Sequence, residues 1–369
     1  MSQQSTRVIL VRHGRSTFNA QGRYQGSSDA AVLTERGHWT AQQVGKALGS
    51  TPIDAVYTSP LRRVTQTTDA ILGAMSVKPG GPVTIVPTLR ELDLANWEGL
   101  AYETVRQRFS EAYQLWQQRP HEFVLAQTTP VDTAATATAS VYPVKDLYQR
   151  AQAFWDSVLP QHRGQTLLIV SHGGTNHALI STALGLKPAH HHSLQQSNCG
   201  VSVLEFGEQQ VRLLQLNQTM ALGETLPKLK AGKQGLRLLL VSVEGVVGDS
   251  CQQLSKRLAS MPIDFCLATG QGQLEARLLL QHCPQVLQLA TENENFLQDW
   301  QRVLARPLRS QSRLITGVAI APARSIQTLL IQTLGGQPQD ASRIDIRPRQ
   351  MSILHYPSAH RPVVQAINF

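Results

Sequence analysis

Residues 7–16 have the sequence Arg-Val-Ile-Leu-Val-Arg-His-Gly-Arg-Ser, and this stretch decides the fold. Its four consecutive apolar residues, mostly β-branched, predict a buried strand. The strand stops at Arg12-His13-Gly14, where the glycine lets the backbone turn sharply as it leaves the sheet. In open α/β sheets, ligands bind beyond the carboxyl ends of the strands. The stretch therefore predicts that Arg12 grips two phosphate oxygens as a fork and that His13 is a candidate nucleophile.

Strands and helices alternate through the first part of the chain. Short apolar runs predict further strands at 54–57, 83–86 and 166–170. Helical spacing follows Thr34 and the Ser59-Pro60 pair. A Thr- and Ala-rich piece, 128–141, has no clear period and is interpreted as an exposed, mobile excursion. The alternation predicts an α/β fold with a mostly parallel central sheet flanked by helices on both faces.

The composition limits the function classes. With 369 residues, 41% of them hydrophobic, the chain is long enough for about two domains. No apolar run approaches the ~18 residues of a membrane span, and the polar N-terminus shows no signal peptide. The four cysteines form no C-x-x-C pair, which favours a reducing cytoplasm. The net charge of +9 comes from scattered Lys and Arg with only 5% aromatic residues, and it favours small anionic substrates over nucleic acid.

The second part of the chain looks like a shortened copy of the first. Met-Pro-Ile-Asp at 261–264 matches Thr-Pro-Ile-Asp at 51–54, a separation of 210 residues. Ser-Ile-Leu at 352–354 matches Ser-Val-Leu at 202–204, a separation of 150 residues. Because the matching segments occur in the same order, we predict a true repeat from which about sixty residues have been lost.

We predict a domain that carries the chemistry at 1–225, a linker at 226–235 and a shortened, catalytically degenerate domain at 236–369. The matches predict three substitutions in the copy: Val243-Glu244 for Arg12-His13, Gly272 for Arg62, and Ala321-Pro322 for Ser171-His172. None of the substituted residues can hold a phosphate or attack it.

Three further groups in the first domain lie at strand-to-helix turns, where they can converge with the first pair. Arg62 and Arg63 stand at a predicted helix start, whose free N–H groups and dipole also favour an anion. His172 precedes two glycines at another helix start, and Glu91 lies in a loop dense in carboxylates. Together these residues predict a phosphate site with a carboxylate beside it.

Four motifs follow one another along the first domain: Arg12-His13-Gly14, Ser59-Pro60-Leu61-Arg62, Leu89-Arg90-Glu91 with Trp97-Glu98-Gly99, and Ser171-His172-Gly173. In order and approximate spacing they resemble the histidine phosphatase superfamily. This family comprises the cofactor-dependent phosphoglycerate mutases and the phosphoglycerate-mutase-like phosphatases. The resemblance covers roughly residues 6–217 and weakens sharply after the linker.

The resemblance implies a role for each matched residue. His13 would attack phosphorus and become a phosphohistidine, while Glu91 would protonate the leaving alcohol and then activate water. The phosphate group would be held by the remaining site residues, Arg12, Arg62, His172, Asn19, Gln25 and Gly26. Each cation at ~4 Å contributes on the order of 4 kcal/mol of Coulomb energy, so several of them would make a metal or another cofactor unnecessary.

Some assignments stay open. Asp93 and Glu98 are carboxylate neighbours of Glu91 and alternatives for the acid role. Arg63 is interpreted as a surface or supporting residue rather than a phosphate clamp. The run of three histidines at 190–192 is interpreted as a solvated loop rather than a metal site, because adjacent histidines cannot all point into one site.

The expected reaction is metal-independent hydrolysis of a small phosphomonoester, with neither nucleic acid nor a membrane as partner. The run Ser-Asn-Cys-Gly at 197–200 resembles metal-independent phosphoserine phosphatases and 2-carboxyarabinitol-1-phosphate phosphatases, so phosphoserine and a sugar phosphate are the two substrate expectations. Relatives often carry Gly-Gly-Glu-Ser where this chain has Thr-Ala-Ser-Val-Tyr-Pro at 138–143, which leaves the specificity open.

Two alternative functions remain. The first is a cofactor-dependent phosphoglycerate mutase, which must be primed by 2,3-bisphosphoglycerate. The second, of another class, is a non-catalytic regulator that binds a phosphorylated metabolite. In each case the degenerate copy is expected to pack against the first domain or to form a homodimer contact.

Overall fold

The computed structural model describes residues 5–125, 141–244, 249–268, 270–290, 296–305 and 313–369. The predicted excursion at 128–141 lies outside these residues, except for Val141. In the described part of the chain, no helix has the length and apolar character needed to cross a membrane.

The secondary-structure elements alternate as the sequence predicts. The strands are β1 (Thr6–Arg12), β2 (Ala55–Thr58), β3 (Val83–Ile85), β4 (Thr166–Ser171), β5 (Val201–Phe206), β6 (Val211–Gln218), β7 (Gly235–Ser242), β8 (Phe265–Ala268), β9 (Leu287–Ala290), β10 (Leu314–Ala321), β11 (Met351–Tyr356) and β12 (Val363–Ala366). The helices are α1 (Thr17–Gln21), α2 (Glu35–Leu48), α3 (Arg62–Ala74), α4 (Tyr102–Arg108), α5 (Ser110–Gln118), α6 (Pro143–Val158), α7 (Gly173–Ala183), α8 (Asp249–Ala259), α9 (Gln273–Leu279), α10 (Phe296–Ala305) and α11 (Ala323–Thr333).

Strand β1 is the buried central strand that its apolar run predicts. Its residues 8–11 are at most 2% exposed. It pairs in parallel with β4, ending with Arg12 opposite Ser171, and in antiparallel with β5 on its other edge. A strand paired on both edges and covered on both faces has no side toward water, which is why its sequence is continuously apolar rather than alternating.

The first sheet has the strand order β3-β2-β4-β1-β5-β6. Its first four strands run parallel to one another. Helix α2 packs against α3, and α6 packs against α7. Because β1 and β4 are neighbours in the sheet but distant in sequence, their carboxyl ends form the crevice where such sheets bind ligands.

The second sheet repeats the first strand for strand. Its order is β9-β8-β10-β7-β11-β12, in which each strand holds the place of its counterpart in the first sheet. Its first four strands are again parallel, and β11 is again antiparallel to the strand beside it. The predictions of a mostly parallel sheet and of two related lobes are confirmed.

Hydrogen bonds show the repeat at the level of single residues. Asp54 accepts the Thr166 N–H on its carboxylate at 2.7 Å and donates its own N–H to the Thr166 carbonyl at 2.8 Å. Asp264 and Thr316 make the same two bonds, each at 2.8 Å. These pairs preserve the separations of 210 and 150 residues that the sequence segments indicate.

One predicted substitution is wrong by one residue. Arg12 pairs with Ser171, and Ser242 pairs with Ala321. Ser242-Val243, and not Val243-Glu244, therefore stands in place of Arg12-His13. A short run of Leu and Val matches another such run in several registers, whereas the pairing with the neighbouring strand admits only one.

The chain forms two compact units, Met1–His192 with Gln196–Val211, and Ser193–Gln195 with Arg212–Phe369. We call them the first and the second unit. The domain boundaries at residues 225 and 235 stay a prediction.

Candidate active site

The carboxyl ends of β1 and β4 bring two histidines together. The His13 N–H donates to the Ser171 carbonyl at 2.9 Å, which continues the β1–β4 pairing one residue past the strand. The ring centroids of His13 and His172 are 5.4 Å apart, edge to face. His13 is 2% exposed and His172 is fully buried. Two motifs that are about 160 residues apart in sequence thus meet at the predicted crevice.

His13 is held in one tautomer. Its Nδ1 lies 2.8 Å from the carbonyl oxygen of Gly14. A carbonyl can only accept, so Nδ1 carries the hydrogen and Nε2 carries the lone pair. Gly14 is held in turn, because its N–H donates to Thr67 Oγ1 at 3.0 Å. The nitrogen with the lone pair is the one that a nucleophilic histidine uses.

His172 is held in the opposite tautomer. Its Nδ1 lies 3.2 Å from Arg63 Nη2, and its Nε2 lies 2.7 Å from Ser59 Oγ. A guanidinium can only donate, so Nδ1 accepts and Nε2 carries the hydrogen. Burial, and after it the positive charge of Arg63, holds the pKa of His172 well below its ordinary value. His172 is therefore neutral at physiological pH.

The second arginine of the site is Arg63, and the expectation for Arg62 is corrected. Arg62 is exposed, donates from Nη2 to the Asp29 carbonyl at 2.7 Å, and has its Nε 3.3 Å from the Asp29 carboxylate. Arg63 is fully buried and contacts His172. The structure thus brings Arg63, which was interpreted as a supporting residue, to the pair of histidines.

The helical period explains why the two arginines differ. The buried face of α3 contains Val64, Thr67, Thr68 and Ile71. Arg63 lies one turn before Thr67 and so belongs to this face. Arg62 begins the row that continues to Gln66 and Asp69, neither of which is buried. This signal is present in the sequence, because the apolar spacing of α3 already defines its inner face.

Arg63 remains a cation despite its burial. Its Nη1 donates to the Ser28 carbonyl at 2.7 Å and its Nη2 to the Gly26 carbonyl at 2.9 Å. Burial lowers the pKa of Arg63 to about 10, and the carboxylate of Glu91 acts in the opposite direction. A pKa near this value keeps the guanidinium charged at pH 7.

Arg12 supplies a second, half-buried cation at the end of β1. Its Nη1 donates to the Gln196 carbonyl at 2.7 Å. Burial lowers its pKa from the ordinary value, and Glu91 partly offsets this. Among the groups that the structure describes, the Nε–H groups of Arg12 and Arg63 are buried without a hydrogen-bond partner. Such groups are costly unless a ligand oxygen satisfies them.

The carboxylate of Glu91 lies at the N-terminus of α7, the helix that begins directly after His172. Its Oε2 accepts the Gly174 N–H at 2.9 Å, and its Oε1 accepts the Leu92 N–H at 3.0 Å. A Cβ atom on Gly174 would lie 2.5 Å from Glu91 Oε1, so glycine is what lets the carboxylate approach this helix. The alternative Asp93 is exposed and accepts the Ala95 N–H at 2.9 Å within its own turn.

The three predicted loop residues lie at the site, and each is bonded to protein groups. Asn19 Oδ1 accepts from Asn198 Nδ2 at 3.0 Å. Gln25 Oε1 accepts from Ser16 Oγ at 2.7 Å. Gly26 presents its carbonyl to Arg63. Their assignment as phosphate ligands stays a prediction, because the contacts seen here order the loop and the arginine.

Asn198 was not singled out from the sequence. Its Nδ2 donates to the carbonyls of His13 and Gly14 at 3.1 and 3.2 Å. The next residue, Cys199, has a φ of 55° and donates its N–H to the Arg12 carbonyl at 3.0 Å. The signal in the sequence is the run at 197–200, which resembles that of particular phosphatases.

The histidine run at 190–192 is not a solvated loop, so that interpretation is wrong. His191 is 2% exposed, and its ring lies 6.1 Å from that of Trp116 and 5.8 Å from that of Tyr148. Burial holds the pKa of His191 well below its ordinary value. Within the described ranges, no three His, Cys, Asp or Glu side chains are grouped so that they could hold a metal ion.

The arrangement suits a tetrahedral anion. It combines a histidine lone pair, the guanidiniums of Arg12 and Arg63, the N-terminus of a helix and a carboxylate. The positive groups stabilise negative charge that develops on a transferring phosphoryl group, and they are already oriented before the reaction begins.

Comparison with known proteins agrees with this geometry. The model of the histidine phosphatase superfamily (branch 1) matches residues 8–219, which is more than half of the chain. The matched stretch includes both histidines, Arg12, Arg63 and Glu91.

Three curated relatives are similar to this chain. A probable 2-carboxy-D-arabinitol-1-phosphatase of Arabidopsis thaliana is 38% identical over 219 residues, which is 58% of this chain and 42% of that protein. The 2-carboxy-D-arabinitol-1-phosphatase of Triticum aestivum is 33% identical over 285 residues, 75% of this chain and 53% of that protein. Phosphoserine phosphatase 1 of Hydrogenobacter thermophilus is 31% identical over 218 residues, 59% of this chain and 95% of that protein. The match thus spans about half the length of the two plant relatives.

Proposed function

The chain belongs to the histidine phosphatase superfamily, and from this premise we propose that it hydrolyses a small phosphomonoester through a phosphohistidine at His13. The observation that carries the proposal is the fixed tautomer of His13. The Gly14 carbonyl holds the hydrogen on Nδ1, so Nε2 carries the lone pair. The guanidiniums of Arg12, which is half-buried, and of Arg63, which is fully buried, accompany it.

In the first step, His13 Nε2 attacks phosphorus and the bond from phosphorus to the ester oxygen breaks. Glu91, in its carboxylic acid form, gives its proton to the departing oxygen, which leaves as an alcohol. Arg12 and Arg63 hold the phosphoryl oxygens, and their Nε–H groups gain acceptors. Neutral His172 orients Arg63 through Nδ1 and adds no further positive charge.

In the second step, water replaces the histidine on phosphorus. Glu91, now a carboxylate, takes a proton from the water as its oxygen attacks phosphorus. The bond between Nε2 and phosphorus breaks, inorganic phosphate leaves, and the lone pair returns to His13. Dividing one difficult displacement into two easier ones is the advantage of a covalent intermediate.

The relatives support a substrate with a carboxylate near the phosphate. Their names specify 2-carboxy-D-arabinitol 1-phosphate and phosphoserine, two phosphomonoesters that each carry a carboxyl group. We propose 2-carboxyarabinitol 1-phosphate or a related sugar phosphate first, and phosphoserine second. We also propose that the protein forms a homodimer and that it is located in the cytoplasm. The buried free thiols of Cys199, Cys266 and Cys283 support the second of these, because thiols stay reduced in that compartment.

The test measures phosphate release from a panel of phosphorylated metabolites in the presence of EDTA. The panel contains phosphoserine, 3-phosphoglycerate, sugar monophosphates and bisphosphates, and 2-carboxyarabinitol 1-phosphate. Wild type and His13→Ala are assayed side by side. We expect rapid release from one or two members by the wild type alone.

Two outcomes would overturn the proposal. Phosphoryl transfer between phosphoglycerates that depends on 2,3-bisphosphoglycerate, with little free phosphate, would indicate a mutase. Tight binding of a panel member without any turnover would indicate a non-catalytic regulator.

A further inference from the structure

The guanidinium of Arg63 is aimed by a short turn. Two carbonyl oxygens of residues 26–28 accept its hydrogen bonds, Gly26 at 2.9 Å and Ser28 at 2.7 Å. Because these acceptors hold Nη2 and Nη1, they fix the plane of the guanidinium and direct it at His172 Nδ1. The position of the turn therefore determines the position of the cation.

Glu98 holds this turn from the opposite side. Its Oε1 accepts the Ser27 N–H at 2.6 Å and the Ser28 N–H at 3.2 Å. The hydroxyl of Ser27 donates to the same oxygen at 3.2 Å. A carboxylate that accepts several N–H and O–H groups makes charge-assisted bonds, which are stronger than bonds between neutral groups.

The contact between the turn and Glu98 leaves no spare room. Gly26 has a φ of +52°, and a Cβ atom there would lie 2.2 Å from Glu98 Oε1. The turn can approach the carboxylate this closely only because position 26 lacks a side chain. Glu98 itself is half-buried, next to the fully buried ring of Trp97.

These contacts form a continuous connection from Glu98 through the turn and Arg63 to His172. We propose that Glu98 is a positioning residue for the reaction, and that it acts by fixing the two carbonyls that aim Arg63 at the phosphoryl group. The proposal rests on the proposed phosphatase function.

The test uses three variants of the full chain. E98A removes the acceptor, whereas E98Q keeps one oxygen that can accept the same N–H groups. D93A is the matched control, because Asp93 is an exposed carboxylate in the same loop that caps only the Ala95 N–H. Each variant is assayed for kcat and KM with the best panel substrate, for inhibition by vanadate, and for thermal unfolding.

We expect E98A to lower kcat/KM by about 100-fold and to weaken vanadate inhibition in parallel, since a displacement of the order of 1 Å in a positioning group has this effect. E98Q should keep activity within about fivefold of the wild type, because it retains the hydrogen-bond acceptor. D93A should match the wild type.

The proposal is overturned if E98A turns over substrate and binds vanadate as the wild type does. It is also overturned if E98A and E98Q lose activity equally, because the charge and not the turn would then be responsible. A fall in thermal stability with unchanged vanadate inhibition would show a merely structural role. Failure of the proposed function is distinct from these results, because the wild type itself would then release no phosphate.

Discussion

The first and second sheets have the same strand order, but they differ in the residues at the ends of their strands. Strand β1 ends at Arg12 and is followed by His13, whereas β7 ends at Ser242 and is followed by Val243 in the corresponding places. The helix start that holds His172 in the first unit holds Pro322 in the second. The apolar strands are retained in both units because the fold needs them. The polar residues at the strand ends are not, because the fold does not depend on them.

The second unit also lacks the long segment that carries Glu91 in the first. Residues 86–165 separate β3 from β4 and include Glu91, whereas only residues 291–313 separate β9 from β10. At the start of α11, Glu244 accepts the Ala323 N–H at 3.2 Å. A carboxylate therefore meets the helix N-terminus in both units, Glu91 from a long loop and Glu244 from the turn after β7. In the second unit this contact caps a helix, which is a structural role.

The largest effect should follow from removing the proposed nucleophile. His13→Ala should lower turnover by about 10⁴-fold or more, since no other group at the site can form the covalent intermediate. Val243→Ala changes the corresponding residue of the second unit and should leave turnover unchanged. The measurement is steady-state phosphate release, with circular dichroism to verify folding. Equal activity of His13→Ala and the wild type would show that turnover depends on His13 no more than on Val243, its counterpart in the second unit.

The next largest effect should come from substituting the two neighbouring arginines one at a time. Arg63→Lys keeps the charge but loses the planar fork, and it should lower kcat/KM by about 10²- to 10³-fold. Arg62→Ala should stay within about threefold, because its ion pair with Asp29 is exposed and screened by solvent. If the sensitivities were reversed, Arg62 would be the phosphate ligand that the sequence predicted.

A smaller loss should follow from adding one methyl group at the start of α7. Gly174→Ala places a Cβ against Glu91 Oε1 and should lower kcat by about 100-fold by displacing the carboxylate. Gly73→Ala is the matched control, because no atom lies within 4 Å of its added Cβ. The second unit carries Arg324 at the position of Gly174, and there Glu244 accepts the N–H of the preceding residue, Ala323. Normal activity of Gly174→Ala would show that Glu91 need not lie against this helix.

The weakest expected effect concerns the stability of the first unit toward acid. The pKa values of His172 and His191 lie well below the ordinary value in the folded protein, mainly through burial. The unfolded chain then binds more protons than the folded chain below pH ~6.5, so stability is complete above that pH and falls as the pH falls. Each histidine should contribute a loss of about 1.4 kcal/mol per pH unit until the pH reaches its folded pKa.

Denaturant unfolding at pH 7.5, 6.5 and 5.5 measures this dependence. His172→Asn should show a smaller loss between pH 6.5 and 5.5 than the wild type, because one titrating group is removed. The corresponding Pro322 of the second unit has no titrating group. A free energy of unfolding that is constant over this range would mean that neither histidine has a lowered pKa in the folded protein.

The sequence predicts those features that repeat along the chain. The apolar run of β1 and the cap at Thr34 define elements that the structure contains, with Thr34 Oγ1 accepting the Gly37 N–H at 3.1 Å. The repeat was visible because corresponding strands must preserve their apolar faces. Assignments that change when the alignment shifts by one residue are harder to predict from the sequence. The shift at Ser242-Val243 and the choice of Arg62 over Arg63 are both errors of a single position.

Contacts between distant loops could not be predicted from the sequence. Asn198 reaches the carbonyl of His13, and Glu98 reaches the turn at 26–28, across 185 and 71 residues respectively. No local period or propensity indicates such pairs, since they arise only when strand ends and loops meet at one edge of the sheet. His191 illustrates the same limit, because a polar run was assigned to solvent although its middle ring packs between aromatic side chains.

The most direct test of the account is to find the residue that becomes phosphorylated. The enzyme is mixed with a panel substrate that it hydrolyses, and the reaction is quenched in alkali, in which phosphohistidine survives. The phosphorylated residue is then mapped by peptide mass spectrometry. We predict a phosphoryl group on His13 in the wild type and no phosphorylated residue in His13→Ala. A label on another residue, in either unit, or rapid turnover without any labelled intermediate would contradict it.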